Sequence, residues 1–177
     1  IIVHPNNPLK EISLETLGEM YRAGGKLTRW SNLGLTIPKA RDEIWLISRQ
    51  NNWGTYHYFR EVVVGKKADF RPPSVTMNGS KEVVELIART PGAIAFTGMG
   101  YVTPKVKVLP VSRKSGQPAI APSVATTLDK TYPLSRPMFI YAAGEPSEPV
   151  RRYLDWILGP SGQAVLERAG YIPVGKP

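Results

Sequence analysis

The chain has no cysteine and only two histidines among its 177 residues. Without cysteine there are no disulfides, no thiol nucleophile and no thiolate metal ligand, although the compartment stays open. His4 and His57 lie far apart, with no HxxxH spacing and no paired carboxylate, so a metal site is not expected. Long apolar runs are missing too. None approaches the roughly 20 residues that span a bilayer, and no signal-peptide pattern opens the chain. G-x-S-x-G, Walker A and H-E-x-x-H patterns are all absent. Thr97-Gly98-Met99-Gly100 holds a G-x-G without its third glycine and reads as a tight strand exit. No nucleophile–base set is nominated, so the expectation is a protein that is not an enzyme and carries no cofactor.

The charge is one-sided. Twenty-three Lys and Arg against fourteen Asp and Glu leave +9, which favours anionic partners in general. No recognition-helix signature, zinc-finger spacing or aromatic-basic RNA motif accompanies it, so nucleic acid is not the expected partner. Basic residues are scattered, with pairs such as Lys66-Lys67 and Arg151-Arg152 and no long run. A content of 42% hydrophobic and 21% charged residues marks a globular chain. The length suits one domain, or one domain and part of another. Ile1-Ile2-Val3 reads as the inside of a strand, so a processed or trimmed chain is expected.

The most informative stretch runs from Glu43 to Phe59. An apolar strand ends in Arg49, a short polar turn follows, and an amphipathic helix begins near Gly54. A helix N-terminus carries free backbone N–H groups and the positive end of the helix dipole, so it favours an anion. Arg49 adds a planar fork of donors suited to a tetrahedral oxyanion. Gly54 lets the backbone approach closely, and the Thr55 hydroxyl can donate once more. The same spacing also fits an ordinary strand–turn–helix with a solvated Arg49.

Helix and strand signals alternate elsewhere, which indicates an α/β protein with a mostly parallel central sheet flanked by helices. Ser13 is placed to cap a short helix with Leu14, Leu17 and Tyr21 on one face, and Ser80 to cap another with Val83, Val84 and Ile87 inward. Strands are expected at 43–48, 93–96, 106–111 and 138–142. Val150, Tyr153, Leu154, Ile157 and Leu158 fall at i, i+3, i+4, i+7 and i+8, an amphipathic helix. Gly159-Pro160 breaks it, and a further helix runs from Ser161 to Ala169.

An ordered set of segments carries a family likeness: Asn7-Pro8, Lys26 to Asn32, Arg49 to Thr55, Gly79-Ser80, Thr90 to Ile94, Tyr132 to Pro137, Gly162-Gln163 and Gly170 to Pro173. With these the chain resembles the phosphate-binding proteins of bacterial phosphate ABC importers, in the two-lobed periplasmic binding protein superfamily. The resemblance implies a second lobe over 5–110 and a C-terminal segment over 111–177, a strand and two helices, that returns to the other lobe. It implies an exported or periplasmic receptor that binds an inorganic oxyanion, phosphate or similar, and serves an ABC permease. In that family an arginine followed after three residues by Ser-Gly-Thr holds the anion. Arg49, Gly54 and Thr55 match; Trp53 stands at the serine position, where it can stack at the cleft mouth or fill the anion space. The resemblance does not extend to most of the first lobe, whose aspartate reads the phosphate proton, so phosphate and sulfate are not separated. The alternative is a truncated or divergent homologue that serves as a self-association or protein-interaction module. Apolar faces at 138–142 and 150–158 lack their usual partner, so a homodimer is expected.

Overall fold

The computed structural model describes residues 1–50, 54–73 and 75–174. Along them run β1 (Ile2–Val3), β2 (Ile12–Ser13), α1 (Leu14–Tyr21), β3 (Trp45–Arg49), α2 (Gly54–Val64), β4 (Val75–Met77) and α3 (Ser80–Ile87). Then come β5 (Ala93–Ala95), β6 (Lys107–Val108), β7 (Val111–Ser112), α4 (Val124–Leu128), α5 (Glu148–Leu158) and α6 (Pro160–Arg168). Five strands form one sheet in the order β4-β3-β5-β1-β6. β3 pairs in parallel with β4 and β5, whereas β1 runs antiparallel to both β5 and β6. Four strands therefore share one direction and β1 alone opposes them. β2 and β7 make a separate parallel pair.

A sheet covered on both faces calls for strands that are apolar at successive positions, and the period of two divides them between two cores. Leu46 and Ile94 face one side, where Leu17, Met20 and Tyr21 of α1 and Phe59 and Val63 of α2 pack. Ile47, Ala93 and Ala95 face the other, against Val83, Val84 and Ile87 of α3. Aromatic rings organise the first core: Phe59 stacks on Phe96 at 4.0 Å, and Tyr21 meets Phe59 edge-on at 5.0 Å. Ser13 caps α1 as its spacing predicts, its hydroxyl accepting from Thr16 N at 3.0 Å.

Three expectations are corrected. The single strand over 106–111 is two, β6 and β7, in different sheets. The chain turns at Leu109-Pro110, where proline has no N–H to continue a ladder; the Pro110 carbonyl instead accepts from Ile12 N at 3.1 Å. Gly79, not Ser80, occupies the cap of α3, because the Val83 N–H donates to the Gly79 carbonyl at 3.2 Å; the Glu82 carboxylate accepts from the N–H groups of Asn78 and Gly79, both at 3.2 Å. Residues 138–142 are not a strand. Met138, Phe139, Ile140 and Tyr141 are 58–88% exposed, and among the described residues no strand lies beside them to supply ladder hydrogen bonds.

The C-terminal residues attach to the sheet domain at several points. Ile120, Tyr132 and Leu134 join the first core. Gly170 crosses Gly100 so closely that a Cβ on Gly100 would stand 2.6 Å from the Gly170 carbonyl oxygen; the glycine of the Thr97–Gly100 run is there for a backbone crossing. α5 is amphipathic as its spacing predicts, yet none of its residues is buried. Its Tyr153, Trp156 and Ile157, with Met138, Ile140 and Leu166, line an open apolar groove of about 1140 Å³.

Tyr21 is 2% exposed and Tyr132 8%. Burial raises the pKa of the Tyr21 phenol and pushes Tyr132 up to about 12, with Tyr58 adding to the latter. In the unfolded chain both ionise near pH 10. Stability is therefore full below about pH 10 and falls above it, by about 1.4 kcal/mol per pH unit for each phenol that the fold keeps neutral. Urea unfolding between pH 8 and pH 11.5 measures the fall. Tyr21→Phe should reduce its slope, and an identical slope in the variant would contradict the assignment.

Candidate anion-binding site

β3 leads through α2 to β4 on one side, and α3 then carries the chain across to β5 on the other. A crevice forms outside the carboxyl ends of strands where connections diverge in this way. Arg49 is the last residue of β3 and stands at that point. α2 and α3 pack on opposite faces of the sheet, and each begins just after a strand's carboxyl end, so two helix N-termini flank the arginine.

Arg49 is 9% exposed. A cation so far out of water needs acceptors in place of its hydration. Nη1 donates to Ser80 Oγ at 2.6 Å and Nη2 to the Asn78 carbonyl at 3.0 Å. Its neighbour Gln50 donates from Nε2 to Asn78 Oδ1. The Asn78–Ser80 bend is held in turn by the Glu82 carboxylate. That carboxylate takes the capping role, which leaves the Ser80 hydroxyl to the arginine.

Gly54 and Thr55 open α2, whose first turn contains no acidic side chain. They meet a second arginine. Arg136 donates from Nη1 to the Gly54 carbonyl at 3.0 Å and from Nη2 to Thr55 Oγ1 at 3.5 Å. Its guanidinium lies over the Tyr58 ring, 5.2 Å from the centroid, while Tyr58 OH donates to the Ser135 carbonyl at 2.7 Å. Burial raises the Tyr58 pKa, and the positive charges of Arg136 and Arg113 oppose that rise. Of the four residues nominated from sequence, Arg49 is thus tied to the start of α3, and Gly54 and Thr55 to Arg136. Trp53, with Asn51 and Asn52, lies outside the described residues.

Sequence reasoning named neither Ser80 as the partner of Arg49 nor Arg136 as the partner of α2. Both pairs are far apart along the chain, and the one signal for them was that Gly79-Ser80 and Ser135-Arg136 fall within the ordered set of family-like segments. Among the described residues no group of three or more His, Asp or Glu converges as a metal site. His57 is exposed, and its ring lies 5.5 Å from the Tyr56 ring. Among the described residues no helix is long and apolar enough to cross a membrane.

Such an arrangement, a mostly parallel sheet with a buried arginine at a strand's carboxyl end between two helix N-termini, defines an α/β domain with a crevice at its switch point. The sequence matches the PBP superfamily domain over residues 1–161, and the chain belongs to that superfamily of periplasmic-binding-protein-like folds. It is 33% identical to the phosphate-binding protein PstS of Pseudomonas aeruginosa over 98% of its own length and 57% of the relative's. The chain therefore spans less than two thirds of that relative. Among solved structures it resembles a possible phosphate binding protein from Planctomyces limnophilus, with a TM-score of 0.80 and 26% identity over 98% of this chain and 63% of that one. A second neighbour, from Clostridium perfringens, is described as a phosphate ABC transporter substrate-binding protein and was solved with bound phosphate. It gives a TM-score of 0.77 and 29% identity over 98% of this chain and 67% of that one. All three are named for phosphate, and the last also for ABC transport.

Proposed function

We propose that the chain binds an inorganic oxyanion, phosphate foremost, as part of the solute receptor of an ABC importer outside the cytoplasmic membrane. Residues 5–110 act as the second lobe, and 111–177 return toward a first lobe. The observation that carries this reading is the buried Arg49 guanidinium, fixed by Ser80 and Asn78 at the mouth of the crevice that α2 faces. No bond is made or broken. Arg49 supplies charge and donors, the free N–H groups at the start of α2 supply more, and the Thr55 hydroxyl adds one. Kinship to proteins named for phosphate binding supports phosphate over other anions.

Bound by residues 1–177 alone the anion stays partly hydrated, so affinity should be weak, around millimolar or about 4 kcal/mol. Isothermal titration of phosphate and of sulfate into the chain and into Arg49→Ala tests this. Binding that disappears in the variant is expected; equal binding by both proteins would remove Arg49 from the site.

A second reading is favoured by the apolar groove. Phe139 at 70%, Tyr153 at 61% and Trp156 at 49% exposure leave large apolar side chains open to solvent beside one another, as interaction surfaces do. Under this reading two copies bury it in a symmetric pair. Sedimentation equilibrium should then give twice the 19.5 kDa chain mass, and Trp156→Glu should return the monomer. A monomer for the unsubstituted chain at high concentration would end this reading.

A further inference from the structure

We propose that Arg136 is a positioning residue for the anion site: it holds the Thr55 hydroxyl so that its hydrogen faces an anion at the start of α2. The proposal rests on the anion-binding reading above and assigns a role to a residue that the Arg49–Thr55 motif does not contain. Arg136 lies eighty-one positions from Thr55 in sequence, yet its guanidinium is seated on the first turn of α2 from three sides. Nη1 holds the Gly54 carbonyl at 3.0 Å, Nη2 lies 3.5 Å from Thr55 Oγ1, and the Tyr58 ring supports the planar face at 5.2 Å. Gly54, Thr55 and Tyr58 stand at i, i+1 and i+4, so these contacts share one side of the turn. The Tyr58 OH bond to the Ser135 carbonyl, 2.7 Å, fixes the backbone beside Arg136.

A hydroxyl has one hydrogen and two lone pairs. Where Arg136 occupies a lone pair of Thr55 Oγ1, the hydroxyl hydrogen turns away from the cation and is available to an acceptor. A hydroxyl that accepts from a cation is also polarised into a better donor. The charge points the same way. A guanidinium at the positive end of a helix is unfavourable by itself. Among the described residues no carboxylate pairs with Arg136, and none lies in the first turn of α2. An anion at Thr55 offsets both the helix end and the arginine.

The test is a double-mutant cycle on the full chain, read by titrating inorganic phosphate and following the Gly54 and Thr55 amide resonances. Thr55→Val and Arg136→Gln should each weaken phosphate by about tenfold, the size of a lost hydrogen bond to a charged group. The double variant should be no more than about twofold weaker than either single one, because both remove the same oriented hydrogen bond. Arg136→Lys keeps the charge but not the fork, so it should stay near Arg136→Gln. Arg136→Gln binding as well as the unsubstituted chain would overturn the proposal and leave the anion reading intact. So would losses that multiply to about a hundredfold, or full rescue by lysine, since Arg136 would then act as an independent charge. If the unsubstituted chain shows no phosphate-dependent shift at Thr55, both the proposal and the reading beneath it fall.

Discussion

A guanidinium can leave water only where acceptors replace its hydration, and the end of the sheet is arranged around that demand from Arg49. The arginine donates to Ser80 Oγ and the Asn78 carbonyl, so the bend before α3 must stay where β3 ends. The bend stays because the Glu82 carboxylate accepts the Asn78 and Gly79 N–H groups. Were Ser80 the cap, its oxygen would have to serve its own helix as well as the arginine. Charge placement, cap choice and strand length are thus one linked constraint. The parallel pairing of β3 with β4 and β5 delivers the arginine to the crevice, and the two cores fix the helices on either side of it.

The C-terminal third is joined to this unit unevenly. Tyr132 and Leu134 are in the core, Arg136 clamps α2, and Gly170 crosses Gly100. Between those contacts, residues 138–141 and the apolar side of α5 face an open groove. The same segment thereby touches the candidate anion site at one end and a large apolar surface at the other. Ser135 and Arg136 are where the two meet, and the proposed clamp on α2 stands there.

Local physics was legible in the sequence where it is settled by near neighbours. The Ser13 cap, the helix over Gly54–Val64 and the strand ending at Arg49 follow from caps, periodicity and apolar runs. Pairing was less legible. Residues 138–142 have the composition of a strand, but a strand exists only against a partner, and composition says nothing of whether one is present. The run over 106–111 looked continuous because Val106, Val108 and Val111 recur through it, yet the missing N–H of Pro110 divides it. Ser80 has the right identity for a cap, but the Val83 N–H donates to the Gly79 carbonyl at 3.2 Å, which makes Gly79 the cap and puts Ser80 inside the first turn. At the site, the chemistry of Arg49, Gly54 and Thr55 was readable from residue types. Their actual partners lie 29 to 82 positions away, where only the fold could bring them.

The central claim is spatial: a tetrahedral anion is bound at the carboxyl end of β3, between the Arg49 guanidinium and the first N–H groups of α2. A crystal structure of this chain grown in inorganic phosphate tests it most directly. The account predicts tetrahedral density within hydrogen-bonding distance of both the Arg49 side chain and the Thr55 amide. Phosphate found only at surface pairs such as Arg151-Arg152, with that crevice occupied by water or side chains, would contradict it.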